Sequence, residues 1–399
     1  MFKKKLFANY TFITIIWFSM AAIAVFLKFF RFDYNNYKIF KGVCWHTIDK
    51  LPLYEPYPAE YNDVNHYGVF FSAIIAPFAI LPDFLGVFLW VLANGMFLYI
   101  VIRKLPVGFR EIMIILFIVL HDMYGASEMQ QFNISIAAIL TGAFLLIEKK
   151  KEEWATLLIV IGFLTKIYGI IGLAFFFFAK NKVRFVWTGL LWLGLGFVLP
   201  MLYSSPEYVI TQYQSWWQNL IDKNNENLAS LFQNISILGF LRTTGLNNGS
   251  DKLIILSALF LFMLPYLRFA QYQYQAFRFQ FLASVCLFVV LFSTGSEASS
   301  YVIASLGTGI WFVFSPNPYK WWKIALLTLA IIASISGTDI VPRYIKYTYI
   351  VPYSLRAIPA FLIWITLILE MCFLDYRAIN EKKILSQATY KSIGAIHNK

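Results

Sequence analysis

The sequence predicts an all-α, polytopic transmembrane protein, and three observations carry that prediction. Of the 399 residues 59% are hydrophobic and only 14% charged, against about 25% charge in a soluble domain, and mean hydropathy is +0.64. Apolar runs, most of roughly 11 to 20 residues where a full span needs about 20, recur along the chain, each bounded by charges or by Pro and Gly. The runs lack the polar-in, apolar-out alternation of barrel strands. Helices that satisfy their own backbone polar groups are the structure that remains.

The first run, Phe12 to Phe30, follows Lys3, Lys4 and Lys5. It is too long for a typical signal core and has no small-residue cleavage site behind it, so it reads as a retained helix. Further spans are expected at 84–102, 111–121, 134–147, 154–165, 167–179, 185–203, 253–267, 281–293, 301–315, 323–336 and 358–374. The run from Tyr67 to Leu81 is short and ends at Pro82, and it reads as an interfacial or re-entrant helix. This count of about twelve spans places every short Lys/Arg-rich loop on one side, the cytoplasmic side by the positive-inside rule. Both termini then lie inside, in a cell (inner) membrane.

Three longer segments, 31–67, 204–252 and 337–356, fall on the extracytoplasmic side, and His121 to Asn133 forms an outer turn. Residues 1–399 form a single integral membrane domain, with no repeat or low-complexity stretch. Spans 111–121, 154–165 and 167–179 are only about half a bilayer long at 1.5 Å per residue. Half-length helices beside long outer loops point to a cavity entering from the outer leaflet.

The net charge of +12 does not indicate a nucleic-acid partner, because the cations cluster in short loops between apolar runs. Cys286 and Cys372 lie in apolar runs and only Cys44 in a loop, which supports neither a disulfide framework nor a zinc site. His46, His66 and His121 make no zinc-type cluster, and no Walker loop, GxGxxG or GxSxG occurs. No metal and no cofactor are expected.

A carboxylate at a membrane surface is informative because burying it is costly. Asp33 lies about three residues past the first span, in Phe29-Phe30-Arg31-Phe32-Asp33-Tyr34. It reads either as a general base for a hydroxyl at the lipid boundary or as an interfacial carboxylate paired with Arg31. Lys166, at the apex of a short hairpin, suits a phosphate or snorkels to the interface. Gln131 and Asn133 offer hydrogen bonds to a sugar or phosphate, or cap the next helix. Glu297, in an outer turn, binds a sugar, orients a cation or is simply solvated. Arg343, Lys346 and Arg356 are cations on the outer side, suited to an anionic ligand such as a lipid phosphate, or to headgroup anchoring.

These residues sit in an order that resembles the polytopic glycosyltransferases of family 87, in the C-type superfamily. Asp33-Tyr34-Asn35-Asn36-Tyr37 resembles the family's Asp-x-x-x-Tyr after the first span, and Leu53-Tyr54 its Leu-Tyr. Tyr67 to Pro82, with Pro77 and Leu81-Pro82, resembles its Tyr-x-Pro-Leu to Leu-Pro stretch, although Gly68-Val69-Phe70 departs from it. Gln131-Phe132-Asn133 resembles its Gln-x-Asn, Thr165-Lys166 its hairpin lysine, and Asn234-Ile235-Ser236-Ile237 its Asn-x-Ser-Leu. The family's Pro and His near 293–300 are absent, and Glu297 and serines stand there.

The resemblance implies inverting transfer of a hexose, such as mannose, from a polyprenyl-phosphate sugar donor to a lipid or glycan hydroxyl outside the membrane. It makes Asp33 the catalytic base and Lys166, with Arg343 or Lys346, the stabiliser of the leaving phosphate. Tyr37, Gln131, Asn133 and Glu297 join the substrate site. A lipid-linked glycan transporter or flippase shares the half-helices, and a non-catalytic envelope-assembly subunit fits the missing His.

Overall fold

The structure is a computed structural model that describes residues 10–230, 233–247, 250–337 and 341–377. The basic start at Lys3 to Lys5 and the basic tail after Arg377 lie outside the described residues. Among the described residues the regular structure is helical, with no strand. Three helices are long and apolar enough to cross a membrane: Tyr10–Phe30 (α1), Asp83–Arg103 (α4) and the segment Lys182–Leu202 that begins with α8 (Lys182–Val198).

The centre of the bundle is α6 (Asn133–Glu148). Only Leu146 and Glu148 of its sixteen residues are not buried, as expected of a helix apolar on every side. Around it pack α4, α5 (Phe109–Glu128), α7 (Glu152–Thr165), α12 (Gln275–Leu291) and α13 (Tyr301–Phe314). It is tied to α4 by a polar contact in which Ser135 donates to Asn94 Oδ1. At its far end Glu148 takes a two-pronged bond from Arg278, at 2.6 and 2.7 Å.

From α7 the chain turns at Lys166 and returns as a 3₁₀ helix, Ile167–Phe178. A run of twelve residues in this conformation is unusual. At about 2.0 Å per residue it reaches about 24 Å, slightly beyond the about 21 Å of the fourteen-residue α7. The arms touch through glycine. A Cβ on Gly169 would overlap the carbonyl carbon of Gly162, and one on Gly172 would lie 2.8 Å from Ile159 Cγ1. The hairpin was expected from its apolar pattern; the 3₁₀ geometry of its returning arm was not, and no periodicity announces it.

Two expectations change. Residues 111–121 do not form a half-length span ending in an outer turn at His121, because α5 continues for twenty residues to Glu128. Asp122 stays inside the helix because Arg356 pairs with it and Ser334 donates to its Oδ1 at 2.7 Å. The chain turns instead at Met129 to Phe132, with Gln130 at φ 50°. Arg356, expected as an outer cation for an anionic ligand, is 7% exposed, and its guanidinium also stacks 4.1 Å from the Tyr301 ring.

The segments between spans are folded rather than loose. Segment 31–67 contains α2 (Asn35–Asp49), and 204–252 contains the 24-residue α9 (Pro206–Ala229) and the short α10 (Ile237–Thr243). The interfacial segment after Tyr67 forms α3 (Phe71–Ala79). The chain closes through α11 (Asp251–Met263), α14 (Trp321–Ser336) and α15 (Ala357–Phe373).

Removing one partner of a buried ion pair costs about 3–5 kcal/mol. Arg356→Leu should therefore lower the thermal unfolding midpoint in detergent by several degrees. Arg343→Leu, at an exposed position, should leave it in place.

Candidate active site

The helix ends that meet on one face enclose a cavity of about 570 Å³. Its first wall is set by the way α1 stops. Asp33 N–H donates to Lys28 O at 2.9 Å and Phe32 N–H to Phe29 O at 2.9 Å, while Phe32 takes φ 56°. That is a Schellman cap with a non-glycine residue in the left-handed position, a conformation that costs of order 1 kcal/mol. It delivers Asp33 to the cavity rim immediately beyond an apolar span. The carboxylate is 60% exposed, and its Oδ2 accepts from the Lys28 ammonium at 2.6 Å. Lys28, rather than the expected Arg31, is its ion-pair partner.

Lys166 forms the inner wall, in the turn between the two hairpin arms. Its ammonium donates to Asn133 Oδ1 at 2.8 Å and lies 5.7 Å from the Tyr67 ring and 5.1 Å from the Tyr168 ring. Asn133 Nδ2 donates to Ser299 Oγ at 2.8 Å, and Ser299 donates to Glu297 Oε1 at 2.8 Å. A continuous relay thus joins Lys166, Asn133, Ser299 and Glu297. Burial lowers the pKa of the Lys166 ammonium from the ordinary 10.5, and the Glu297 carboxylate opposes that shift.

Gln131 also faces the cavity and accepts a bond from Tyr67 Oη at 2.8 Å. Asp33, Gln131, Lys166 and Glu297, far apart in the chain, therefore line one space, with Asn133 behind Lys166. Tyr37 is turned away: it is buried and donates to Phe78 O at 2.8 Å, while Asn35, Asn36, Ile39 and Phe40 of α2 present the cavity side. Arg343 and Lys346 are not among the lining residues; Arg343 is exposed, and the Lys346 ammonium lies 5.2 Å from the Tyr347 ring.

Asn234-Ile235-Ser236 supports the Glu297 turn from behind. Ile235 N–H donates to Ser296 O at 2.7 Å, Tyr301 Oη donates to Ile235 O, and Ser236 Oγ caps α10. Asn234 itself is buried.

The polar wall contributed by α9 was not foreseen. Lys223, Asn224 and Asn227 line the cavity from that helix, and Asp63, His66 and Glu128 join them. Several bonds hold α9 in place. Trp216 Nε1 donates to His66 O at 2.9 Å, Leu53 N–H to Gln212 Oε1 at 2.9 Å, Tyr208 Oη to Leu51 O, and Thr294 Oγ1 to Asn224 Oδ1. The bond between His66 Nδ1 and Asn219 Oδ1, at 2.8 Å, makes Nδ1 the protonated nitrogen. Burial holds the pKa of His66 below its ordinary value; Lys223 adds to this, while the Asn219 bond, Asp63 and Glu226 oppose it. The available signal was the spacing of Trp216, Leu220, Lys223, Asn224 and Asn227 on one face of a long polar helix.

Chemically, the cavity offers a carboxylate at a membrane-surface rim, a cation at its inner end, and amide and hydroxyl groups between. Asn133→Leu would leave the Lys166 ammonium and Ser299 each short of a buried partner. It should cost about 1–3 kcal/mol, measured as a fall in the thermal unfolding midpoint.

The model of glycosyltransferase family 87 matches residues 65–294. No curated protein and no solved structure matches the chain.

Proposed function

The chain belongs to glycosyltransferase family 87, and we propose that it transfers a hexose, such as mannose, from a polyprenyl-phosphate donor to a lipid or glycan hydroxyl. The observation that carries this reading is that Asp33 and Lys166 line the same cavity at the membrane-surface end of the helices. A base and a phosphate-binding cation are the two groups such a displacement needs. The basic ends of the helices, at Arg103, Lys104, Lys149 to Lys151 and Lys180 to Arg184, lie on the opposite face. By the positive-inside rule, that face is cytoplasmic and the cavity opens outside.

In this mechanism Lys28 holds Asp33 Oδ2, leaving Oδ1 to accept the proton of the acceptor hydroxyl. The acceptor oxygen attacks the anomeric carbon from the face opposite the phosphate. As the new C–O bond forms, the bond to the phosphate oxygen breaks and its electron pair leaves on the polyprenyl phosphate, with inversion at carbon. The Lys166 ammonium meets the charge that develops on that oxygen, where a positioned cation lowers the barrier most. Asn133 keeps the ammonium aimed, and the Glu297 carboxylate favours its charged form. Gln131, Asn224 and Asn227 offer hydrogen bonds to sugar hydroxyls, and Glu128 and Asp63 leave room for a polar acceptor.

With purified protein in liposomes and a radiolabelled polyprenol-phosphate sugar, Asp33→Asn should reduce transfer at least 10²-fold, a general base contributing about 10² to 10⁴. The unfolding midpoint should hold, since the side chain is mostly exposed. Transfer by the variant at the wild-type rate would refute the assignment.

Lys166 gives a pH signature. Its folded pKa is lowered, so phosphate stabilisation is present below that value and is lost as pH rises through it. Activity should fall on the alkaline side before an ordinary lysine deprotonates. Lys166→Arg, which keeps its charge, should move that fall to higher pH; an unmoved alkaline limb would contradict the role.

A further inference from the structure

The hairpin that carries Lys166 at its tip has a second cleft at its base, on the opposite face. This cleft of about 520 Å³ is lined by Lys150, Glu152, Lys180, Asn181, Lys182 and Arg184, with Val183 at its edge. Its backbone is held firmly. Lys150, at φ 59°, closes α6 with Lys150 N–H donating to Ile147 O at 2.8 Å and Lys151 N–H to Leu146 O at 2.9 Å. Across the cleft, Glu152 is buried, and its Oε1 accepts the N–H groups of Lys180 and Asn181, both at 3.0 Å.

The one lining carboxylate is thus committed to the turn that presents the cations. Lys182 donates to Ala179 O at 3.1 Å, and Arg184 stands 3.7 Å from Glu153. Lys150 and Lys180 are exposed, and among the described residues neither is paired with a carboxylate.

What adjoins the cleft is apolar and open. From Val183 onward α8 exposes Val186, Trp187, Leu190, Leu191 and Leu195, with Trp187 69% exposed. Only 17% of its apolar window is buried inside the protein. A helix apolar enough to span and so little covered by protein faces acyl chains. A fixed cluster of cations therefore sits where a lipid-facing helix begins.

We propose that this cleft binds the phosphate of an anionic phospholipid in the leaflet on that face, its acyl chains lying along Val183, Val186, Trp187 and Leu190. Lysine is suited to this as a point charge on a flexible stem, and basic residues at a membrane surface are drawn to anionic headgroups. The site lies at the far end of the hairpin from the transferase cavity and does not depend on the donor assigned there.

The test uses the full chain purified in a neutral detergent, with phosphatidylglycerol, phosphatidylcholine or inorganic phosphate added. Thermal unfolding and native mass spectrometry read the outcome. Phosphatidylglycerol should raise the unfolding midpoint and remain bound, phosphatidylcholine should do neither, and inorganic phosphate should give less than a tenth of the response at equal concentration. The triple variant K150Q/K180Q/K182Q should weaken phosphatidylglycerol binding at least tenfold. A variant of equal charge change outside the cleft, K104Q/K149Q/K320Q, should retain it. The single variants K150Q and K180Q, at exposed ammonium groups, should each weaken binding even if the triple variant folds poorly. Equal loss in the control variant would reduce the effect to diffuse attraction, and an equal response to phosphatidylcholine would remove the headgroup preference. A matching response to inorganic phosphate would assign the cleft to a soluble anion. Each of these three results would overturn the proposal.

Discussion

The site depends on the half-buried Lys166 ammonium being held in place. Lys166 sits where desolvation works against its charge; Asn133 offsets this by accepting a hydrogen bond from the ammonium, and Glu297 by supplying a compensating carboxylate tied in through Ser299. That relay needs three parts of the chain to arrive together: the hairpin tip, the start of the central helix α6, and the turn before α13. The close Gly162–Gly169 contact sets the hairpin against itself. Gly68 N–H donates to Thr165 O and ties the Tyr67 segment to the hairpin tip. Ile235 and Arg356 reach the serine-rich turn from behind, through Ser296 O and Ala298 O.

The chain places its charges with corresponding economy. Inside the bundle they are matched, Asp122 with Arg356 and Glu370 with Lys323, because an unpaired charge there is costly. Along the cavity the pairing is partial, with Asp33 held by Lys28 and Lys223 by Glu226. Asp33 has one oxygen committed to Lys28 and one free of protein donors among the described residues.

Much of this was legible in the sequence, for a physical reason. In a chain this apolar, a polar residue at the end of a run is conspicuous, and Asp33, Gln131, Lys166 and Glu297 all stood in such places. The reading of α5 stopped at His121, where the apolar run gives way to polar residues, yet the helix runs on to Glu128 with Asp122 inside it paired to Arg356. Tyr37 belongs to a recognisable spacing, yet the rotation of α2 turns its side chain toward Phe78. The α9 wall escaped notice because a mixed polar and aromatic helix outside the spans resembles a loop in composition. The long 3₁₀ helix has no signature in the apolar pattern that marks the hairpin.

The most direct test of the account is a cryo-electron microscopy structure of the full chain in nanodiscs with a non-hydrolysable polyprenyl-phosphonate sugar. The account predicts the phosphonate within hydrogen-bonding distance of Lys166 Nζ and the anomeric carbon between it and the Asp33 carboxylate. A phosphonate seated instead at Arg343 and Lys346, with the cavity between Asp33 and Lys166 empty of donor, would contradict it.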